Sequence, residues 1–298
     1  YYQTYLQKMS NVSQEDILSL GKNYITPNNY YIIVVGNKEI LEKIKKFDAD
    51  GKVTVLDAYG NPAKEKVLKP ADISKSEVLE NYLMAVTQTT SIKKANKKIK
   101  KIKTLAINSV LVPDQAPVEI EMLTYFKAPN KQATKITLQG MMVLQHEKFN
   151  GSEGVNIVMN ETGGTESLEL TKEEVEDKKK TSAVFLEHSL LCNLDDIQLL
   201  GIQSRDGFDL YVIEYTIGKQ KTTAYYNQKT ALKEYSTSIE STEEGPQTLT
   251  YIHSEYTDYS GYLFPKKTSQ VAGGEGLNGT IKSIEINGDI DDEIFEVK

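Results

Sequence analysis

The segments Tyr211-Val-Ile-Glu-Tyr-Thr-Ile217, Thr222-Thr-Ala-Tyr-Tyr226 and Leu232-Lys-Glu-Tyr-Ser-Thr237 decide the fold class of this chain. β-Branched and aromatic residues predominate in them, and polar residues alternate with apolar ones at a period close to two. The gaps at residues 218–221 and 227–231 have the length of hairpin loops. The pattern therefore predicts an antiparallel sheet with one buried face.

Similar segments extend this sheet along the chain. They cover residues 105–112, 118–126, 133–144 and 281–286. A helical interruption is predicted around residues 172–191. Seven or more meandering strands with one or two covering helices indicate a strongly curved sheet, and the pattern does not distinguish a closed barrel from a half-open one.

The first 61 residues follow a different order of helix, strand, helix and strand. Ser13, with Asp16 three residues later, predicts a helix start, and the apolar run Tyr30–Gly36 predicts a strand buried on both faces. A short helix over 38–47 and a short strand over 52–57 follow. The whole chain is therefore predicted to be α+β, with a partial α/β sandwich at its N-terminal end.

Residues 62–73 contain two prolines and three lysines and lose the periodicity, which predicts a linker. Ser74 and Glu77 then form the pattern of a capping box. The apolar residues expected on the face of the following helix are Val78, Tyr82, Leu83, Val86 and Ile92. The end of this helix is obscured by a run rich in lysine, and the β domain is expected to fill residues 74–298.

Composition excludes some classes of function. The 298 residues are 39% hydrophobic and carry a net charge of −7, which argues against a nucleic-acid-binding protein. The local exception, Lys93–Lys103, is interpreted as a solvated helix end that has the charge to contact anionic lipid headgroups. The single cysteine, Cys192, lies in an apolar run and is expected to be buried and inert.

Residues 1–61 resemble the C-terminal end of an insulinase (pitrilysin) family peptidase domain. The resemblance lies in Lys22-Asn-Tyr-Ile-Thr-Pro-Asn-Asn-Tyr30, Ile32-Ile-Val-Val-Gly-Asn-Lys-Glu39 and Val53-Thr-Val-Leu-Asp57. With the chain opening at Tyr1 inside an apparent helix, it implies the tail of a longer exported protein.

That family needs His-x-x-Glu-His for its zinc. This sequence lacks the motif, and its histidines, His146, His188 and His253, stand far apart. We therefore expect no catalytic residue, no metal ligand and no cofactor in this chain; zinc would belong to the parent protein.

Residues 74–298 resemble the outer-membrane lipoprotein carrier (LolA/LolB-like) superfamily. The matching segments begin at Glu77-Val-Leu-Glu-Asn-Tyr-Leu-Met-Ala85 and include Leu199–Ile213, Thr223–Leu232, Tyr256–Pro265 and Asn287–Phe295. The resemblance implies a curved, half-open antiparallel β-barrel with helices over its concave face and space there for lipid acyl chains.

An apolar pocket is predicted from flexible and aromatic side chains. Its candidate residues are Met141, Met142, Leu144, Tyr226 and Tyr256, and a wider tyrosine set adds Tyr225, Tyr259 and Tyr262. Ordinary core packing is the alternative interpretation of both. Asp289, Asp291, Asp292 and Glu293 allow a calcium hypothesis, although a solvated turn is favoured, and Gly273–Gly276 indicates a hairpin loop.

The sequence thus predicts a non-catalytic C-terminal region of an insulinase-family zinc peptidase, with a β domain that binds a hydrophobic ligand, a lipid or a partner protein. Two alternatives stay open. One is a subunit of a split zinc metalloprotease whose catalytic motif lies on another chain, and the other is a structural or assembly domain without a ligand. The second resemblance implies a periplasmic or outer-membrane-associated location in a Gram-negative bacterium.

Overall fold

The computed structural model describes residues 2–24, 31–36, 40–47, 51–56, 68–160, 162–205, 207–242 and 245–297. The chain divides into two units between Glu65 and Lys66. This division falls within the predicted linker 62–73. Residues 68–73 belong to the second unit, where Lys69 forms an isolated antiparallel bridge with Ile202.

The first unit contains α1 (Tyr2–Ser10), α2 (Gln14–Tyr24) and α3 (Leu41–Ile44), which continues into a 3-10 turn at Lys45–Phe47. The capping of α2 is confirmed: the Ser13 amide and hydroxyl both donate to Asp16 Oδ2, at 3.0 and 2.7 Å. The short helix predicted over 38–47 is confirmed from Leu41 onward.

The strands predicted in the first unit are wrong over the residues that the structure describes. Residues 31–36 form no strand and are exposed, and residues 52–56 have only an isolated bridge, at Leu56. An apolar run becomes a strand only where neighbouring strands accept its backbone hydrogen bonds, and a run of residues alone cannot supply that neighbour. The partial sandwich stays a prediction, because residues 25–30, 37–39, 48–50 and 57–65 lie outside the described ranges.

The second unit is built on one antiparallel sheet of thirteen strands among its described residues. The strands are β1 (Thr104–Pro113), β2 (Ile120–Lys127), β3 (Lys131–Leu138), β4 (Met142–Phe149), β5 (Gly154–Met159), β6 (Thr165–Glu169), β7 (Ile197–Arg205), β8 (Phe208–Ile217), β9 (Gln220–Asn227), β10 (Lys233–Thr242), β11 (Gly245–Tyr259), β12 (Tyr262–Ala272) and β13 (Glu275–Ile286). Their spatial order is β6-β5-β4-β3-β2-β1-β13-β12-β11-β10-β9-β8-β7. The predicted antiparallel sheet is confirmed.

Two meanders make up this sheet, and the pairing of β1 with β13 joins them. Strands β6 and β7 are its two edges, so the described sheet is open. Its nine neighbouring strands from β2 to β7 would span about 38 Å if flat, at ~4.8 Å per strand. Side chains from both ends of this span nevertheless share one core with helices of at most 12 residues. The sheet therefore curls, as a half-open barrel does.

Four α-helices accompany the sheet among the residues that the structure describes. Helix α4 (Lys75–Val86) begins with the predicted capping box, in which Ser74 accepts from the Glu77 amide and Glu77 accepts from Ser74. The lysine run is a second helix, α5 (Ile92–Ile99), and Ile92 belongs to it and not to α4. The predicted 172–191 helix is likewise two helices, α6 (Lys172–Thr181) and α7 (Leu186–Leu190).

The strand predicted over 133–144 is also wrong, because the chain turns inside it. Gln139 and Gly140 have φ angles of 51° and 69°, in the left-handed region that glycine tolerates at little steric cost. They separate β3 from β4. The turn was hidden in the sequence because apolar residues stand on both sides of it.

The two faces of the sheet are distinguished by their neighbours. The inner face, with Leu105, Phe126 and Ile213, packs on α4 in the main core. The outer face, with Ala133, packs on Ile290 and Phe295 near the C-terminus. No helix in the part of the chain that the structure describes is long and apolar enough to cross a membrane.

Candidate functional site

The inner face is the part of the second unit with the most unusual chemistry. Beneath α4 it is apolar: Leu79, Leu83 and Val86 are fully buried against the strands. Their spacing of four and three residues places them on one side of the helix. A buried ion pair interrupts this apolar layer, and a strip of half-buried apolar residues extends it.

The buried ion pair joins α7 to β10. Lys233 Nζ lies 2.9 Å from Glu187 Oε1, and the two side chains are 14% and 2% exposed. The hydroxyl of Tyr226 donates to the same carboxylate oxygen at 2.9 Å. A carboxylate in the interior is costly unless it is paired and hydrogen-bonded, and Glu187 has both kinds of partner.

Tyrosines surround this pair. The rings of Tyr82 on α4 and Tyr226 on β9 meet edge to face at 5.5 Å, and Lys233 Nζ lies 5.7 Å from the centre of the Tyr82 ring. The hydroxyl of Tyr256 on β11 donates to the Lys233 carbonyl at 2.9 Å. The cluster thus links two helices with three strands.

Burial and the charge of Glu187 together set the ionisation of the cluster. Burial by itself lowers the pKa of Lys233, but the Glu187 carboxylate and the neighbouring phenols outweigh it and raise that pKa. Burial, followed by the Glu187 charge, raises the pKa of Tyr82 and Tyr226 well above the usual value for a phenol. Lys233 therefore stays charged and the two phenols stay neutral at physiological pH.

His253 lies close enough to this cluster to be affected by it. Burial, and then the charge of Lys233, lowers the pKa of His253 to about 3. Its Nδ1 atom is buried and has no hydrogen-bond partner in the described structure. The imidazole is therefore neutral at physiological pH.

The second feature is a strip of apolar side chains on the inner face of β1–β3. Residues directly opposite one another in an antiparallel pair lie on the same face. The strand register extends the inner face beyond Leu105 and Phe126 by two rows of neighbouring residues. The first row is Ser109, Met122 and Ile136, and the second is Leu111, Ile120 and Leu138. We call Leu111, Ile120, Met122, Ile136 and Leu138 the inner strip. All five are half-buried, and none belongs to the main core.

The predicted pocket residues fall in different places. Tyr226 and Tyr256 lie in the main core, at the buried ion pair. Met141 is exposed in the β3–β4 turn, and Met142, also exposed, lies opposite Leu138 at one end of the inner strip. Leu144 is half-buried on β4, next to the irregularity in the β3–β4 register.

The wider tyrosine set is divided by the sheet. Tyr259 and Tyr262 pack with the main core, whereas Tyr225 is on the outer face, where its ring stacks on Tyr235 at 4.1 Å. Adjacent tyrosines on one strand face opposite sides, so residues 225 and 226 do not form one aromatic wall.

The cysteine, the acidic cluster and the glycine pair that the sequence analysis noted do not form binding sites in the described structure. Cys192 is exposed, so the expectation of a buried thiol is wrong; the chain turns to the surface just after α7. Asp292 lies 2.9 Å from Lys131 and 3.2 Å from Lys127, as an ion-paired turn. Gly273 and Gly274 form the predicted hairpin loop between β12 and β13.

The three histidines lie on β4, α7 and β11, and each is half-buried. Among the residues that the structure describes, no group of three or more His, Cys, Asp or Glu side chains is placed to hold a metal ion.

The sequence analysis missed Glu187, Lys233 and the inner strip. Lys233 occupies an inward position of a strand, which was detectable from the alternation, but nothing local indicates that Glu187 reaches it across 46 residues. Met122 and Ile136 were placed on strands, and only the register shows that they are neighbours.

Comparison with known proteins shows likeness at the level of the fold. No protein-family model matches the chain, and no curated protein matches it. Neither comparison supports the peptidase resemblance of residues 1–61.

Solved structures with a similar fold include a LolA superfamily protein from Nitrosomonas europaea, with 16% identity and a TM-score of 0.49 over 75% of this chain and 98% of that chain. A DUF1329 family protein from Desulfovibrio piger has 11% identity and a TM-score of 0.48 over 75% of this chain and 98% of that chain. The first belongs to the superfamily that residues 74–298 resemble.

Proposed function

We propose that the second unit is a non-catalytic binding domain whose inner sheet face holds an apolar ligand of the acyl-chain class. The observation that carries this proposal is the inner strip. Its five side chains continue the buried apolar face of the sheet, yet they stay half-buried and outside the main core. Apolar surface in a concave position is what a hydrophobic ligand covers.

The composition of the strip suits a ligand without a fixed shape. Leucine, isoleucine and methionine supply apolar contact without polar atoms that need partners. Met122, at the centre of the strip, has a flexible thioether side chain that adapts to irregular surfaces. Such a surface would accept a chain of methylene groups and would discriminate between ligands mainly by their length and apolarity.

The arrangement of the helices supports access to this face. The helices on the second unit have 12, 8, 10 and 5 residues. Helices α4 and α7 pack in the main core, whereas α6 has no buried residue and is held by an ion pair between Lys178 and Glu147 on β4. A helix attached mainly through a polar contact can separate from a sheet more easily than one packed in the core.

The remaining assignments depend on the resemblances alone. A periplasmic or outer-membrane-associated location follows from the resemblance of residues 74–298. A zinc peptidase as parent protein, or a separate peptidase subunit as partner, follows from residues 1–61 and has no further support. The proposal is for binding and does not include a reaction.

Tryptophan quenching tests the proposal, because the sequence contains no tryptophan. Met122→Trp places a reporter on the inner strip, and Leu123→Trp places a matched reporter on the opposite face, one residue away. Bromine atoms quench tryptophan only on close approach. Titration of the full chain with 9,10-dibromostearate should therefore quench the fluorescence of the Met122→Trp variant saturably and leave that of the Leu123→Trp variant nearly unchanged. Unbrominated stearate should reverse the quenching.

A second pair, Ile136→Trp on the inner face and Lys135→Trp on the outer face, repeats the comparison if the reporter at position 122 itself fills the strip. Circular dichroism confirms that each variant is folded. Equal quenching on both faces, or none on the inner face in either pair, would contradict the proposal and favour a structural domain without a ligand.

A further inference from the structure

Positive charge is concentrated on α5 and the residues that follow it. Six lysines are exposed there: Lys93, Lys94, Lys97, Lys100, Lys101 and Lys103. We call them the α5 patch. No acidic residue interrupts the sequence from 92 to 103, although the whole chain carries a net charge of −7. So dense a positive patch on an acidic protein produces a local field opposite to that of the rest of the surface.

The apolar side of α5 is fully used by the core. Ala95 and Ile99 are buried in the main core, and Ile92 packs against it. The side that faces away from the core offers lysine side chains and no aromatic residue. Apart from the half-buried Ile92, the surface of this helix thus has charge and no apolar anchor.

The six ammonium groups are not neutralised by the protein. None of them takes part in an ion pair within the described ranges; Lys94 donates to the Thr90 hydroxyl at 3.3 Å. Lys98 differs, because its ammonium donates to the carbonyls of Thr87 and Gly261 at 2.8 and 2.6 Å. Lys98 therefore fixes α5 to the β11–β12 turn, while the patch lysines keep their charge for an external anion.

Two shallow hollows lie along the patch. One, of about 490 Å³, is lined by Ile92, Lys93, Asn96, Lys97 and Lys100. The other, of about 460 Å³, lies between α5 and the β-sheet and is lined by four lysines together with Thr89, Ser260, Tyr262, Ile286 and Asn287. Lys97 contributes to both. Each hollow is lined by at least three lysine side chains and is large enough for a phosphate group.

We propose that the α5 patch docks the protein on a membrane that contains anionic phospholipids, with headgroup phosphates in the two hollows. Each lysine near such a surface strengthens binding by roughly fivefold. The inference concerns the outside of α5 and does not depend on whether the inner face holds an apolar ligand.

The composition of the patch favours a membrane over other anionic partners. A specific protein interface needs apolar or aromatic anchors at its centre; the apolar side chains beside the patch, Ile92, Tyr262 and Ile286, are buried or half-buried and pack in the main core. Single-stranded nucleic acids are held by aromatic stacking, and base readout in a duplex commonly uses arginine; neither residue type occurs among the patch residues. Flexible point charges match a fluid array of headgroups, which needs no fixed geometry.

Vesicle sedimentation tests the proposal. The full chain is mixed with dioleoyl-phosphatidylcholine vesicles, with or without 30% dioleoyl-phosphatidylglycerol, at low and high salt. We expect binding to the anionic vesicles alone, and its loss at high salt as the charges are screened. Because both vesicles carry the same acyl chains, uptake of an apolar ligand would affect both equally, so the two proposals succeed or fail separately.

Matched triple variants locate the surface. Lys93→Gln/Lys97→Gln/Lys100→Gln should weaken binding at least tenfold. Lys172→Gln/Lys179→Gln/Lys180→Gln removes the same charge from α6, where acidic residues accompany the lysines, and should change binding less than threefold. Thermal unfolding confirms that both variants are folded.

Three outcomes would overturn the assignment. They are equal binding to neutral vesicles, equal effects of the two triple variants, and binding of a 20-base-pair DNA duplex as tightly as the anionic vesicles. The last would indicate a general polyanion surface.

Discussion

At the scale of single residues, the Glu187–Lys233 pair is the feature that apolar packing does not explain. Burying two charges has a large desolvation cost, which good geometry offsets only in part. Here the carboxylate also accepts from Tyr226, and the ammonium faces the ring of Tyr82. The pair therefore holds α7 in one position on the sheet and contributes less to total stability than its short distance suggests.

Removing one partner at a time tests this account. Glu187→Leu or Lys233→Met alone should lower the free energy of unfolding by about 3–5 kcal/mol, because the remaining polar group is buried without its partner. The double variant Glu187→Leu/Lys233→Met should recover most of that loss. Urea unfolding of the four proteins measures the coupling, and additive losses in the double variant would show that the two charges do not act as a pair.

At the scale of secondary-structure elements, local signals were sufficient where side chain and backbone interact within one turn. Ser74 and Glu77 predicted the start of α4, and both hydrogen bonds of the capping box are present. The division of the lysine run into a helix of its own was not predicted. It depends on Gln88, whose φ of 52° breaks the helix although no glycine or proline marks the site.

The α4 cap provides a prediction at this scale. Ser74→Ala removes the side chain that accepts from the Glu77 amide and should lower the free energy of unfolding by about 1 kcal/mol. Ser76→Ala is the control in the same turn, because its hydroxyl contacts the Ser74 hydroxyl at 3.0 Å but accepts from no helical amide, and it should cost less than about 0.5 kcal/mol. Chemical denaturation compares the two; an equal effect would assign the loss to helix propensity and not to the cap.

At the scale of the whole molecule, the second unit has a core of its own. Strands from both meanders and the helices α4 and α7 contribute to that core, and all of them lie between residues 66 and 298. In the first unit, by contrast, the described apolar side chains of α2, such as Ile17 and Leu20, are exposed.

Separating the units tests this difference. A chain shortened to residues 66–298 should unfold in a single cooperative urea transition, since its core is complete. Residues 1–65 alone should show no cooperative transition, because their described apolar residues bury too little surface. Circular dichroism at increasing urea concentration records both. A cooperative transition in the shorter piece would contradict this expectation and show that the first unit folds on its own.

The sequence by itself determined the α+β class, the antiparallel strands, the capped helix starts and the hairpin at Gly273–Gly274. These features depend on side-chain alternation and on contacts between near neighbours in the chain. Only the tertiary structure decided that β1 pairs with β13, that Glu187 meets Lys233, and that Met122, Ile136 and Leu138 form one strip while Met141 is exposed in a turn. Each of these depends on which distant segments become neighbours when the sheet curls. That choice minimises exposed apolar surface and unpaired backbone groups over the whole sheet, and no short stretch of sequence encodes it.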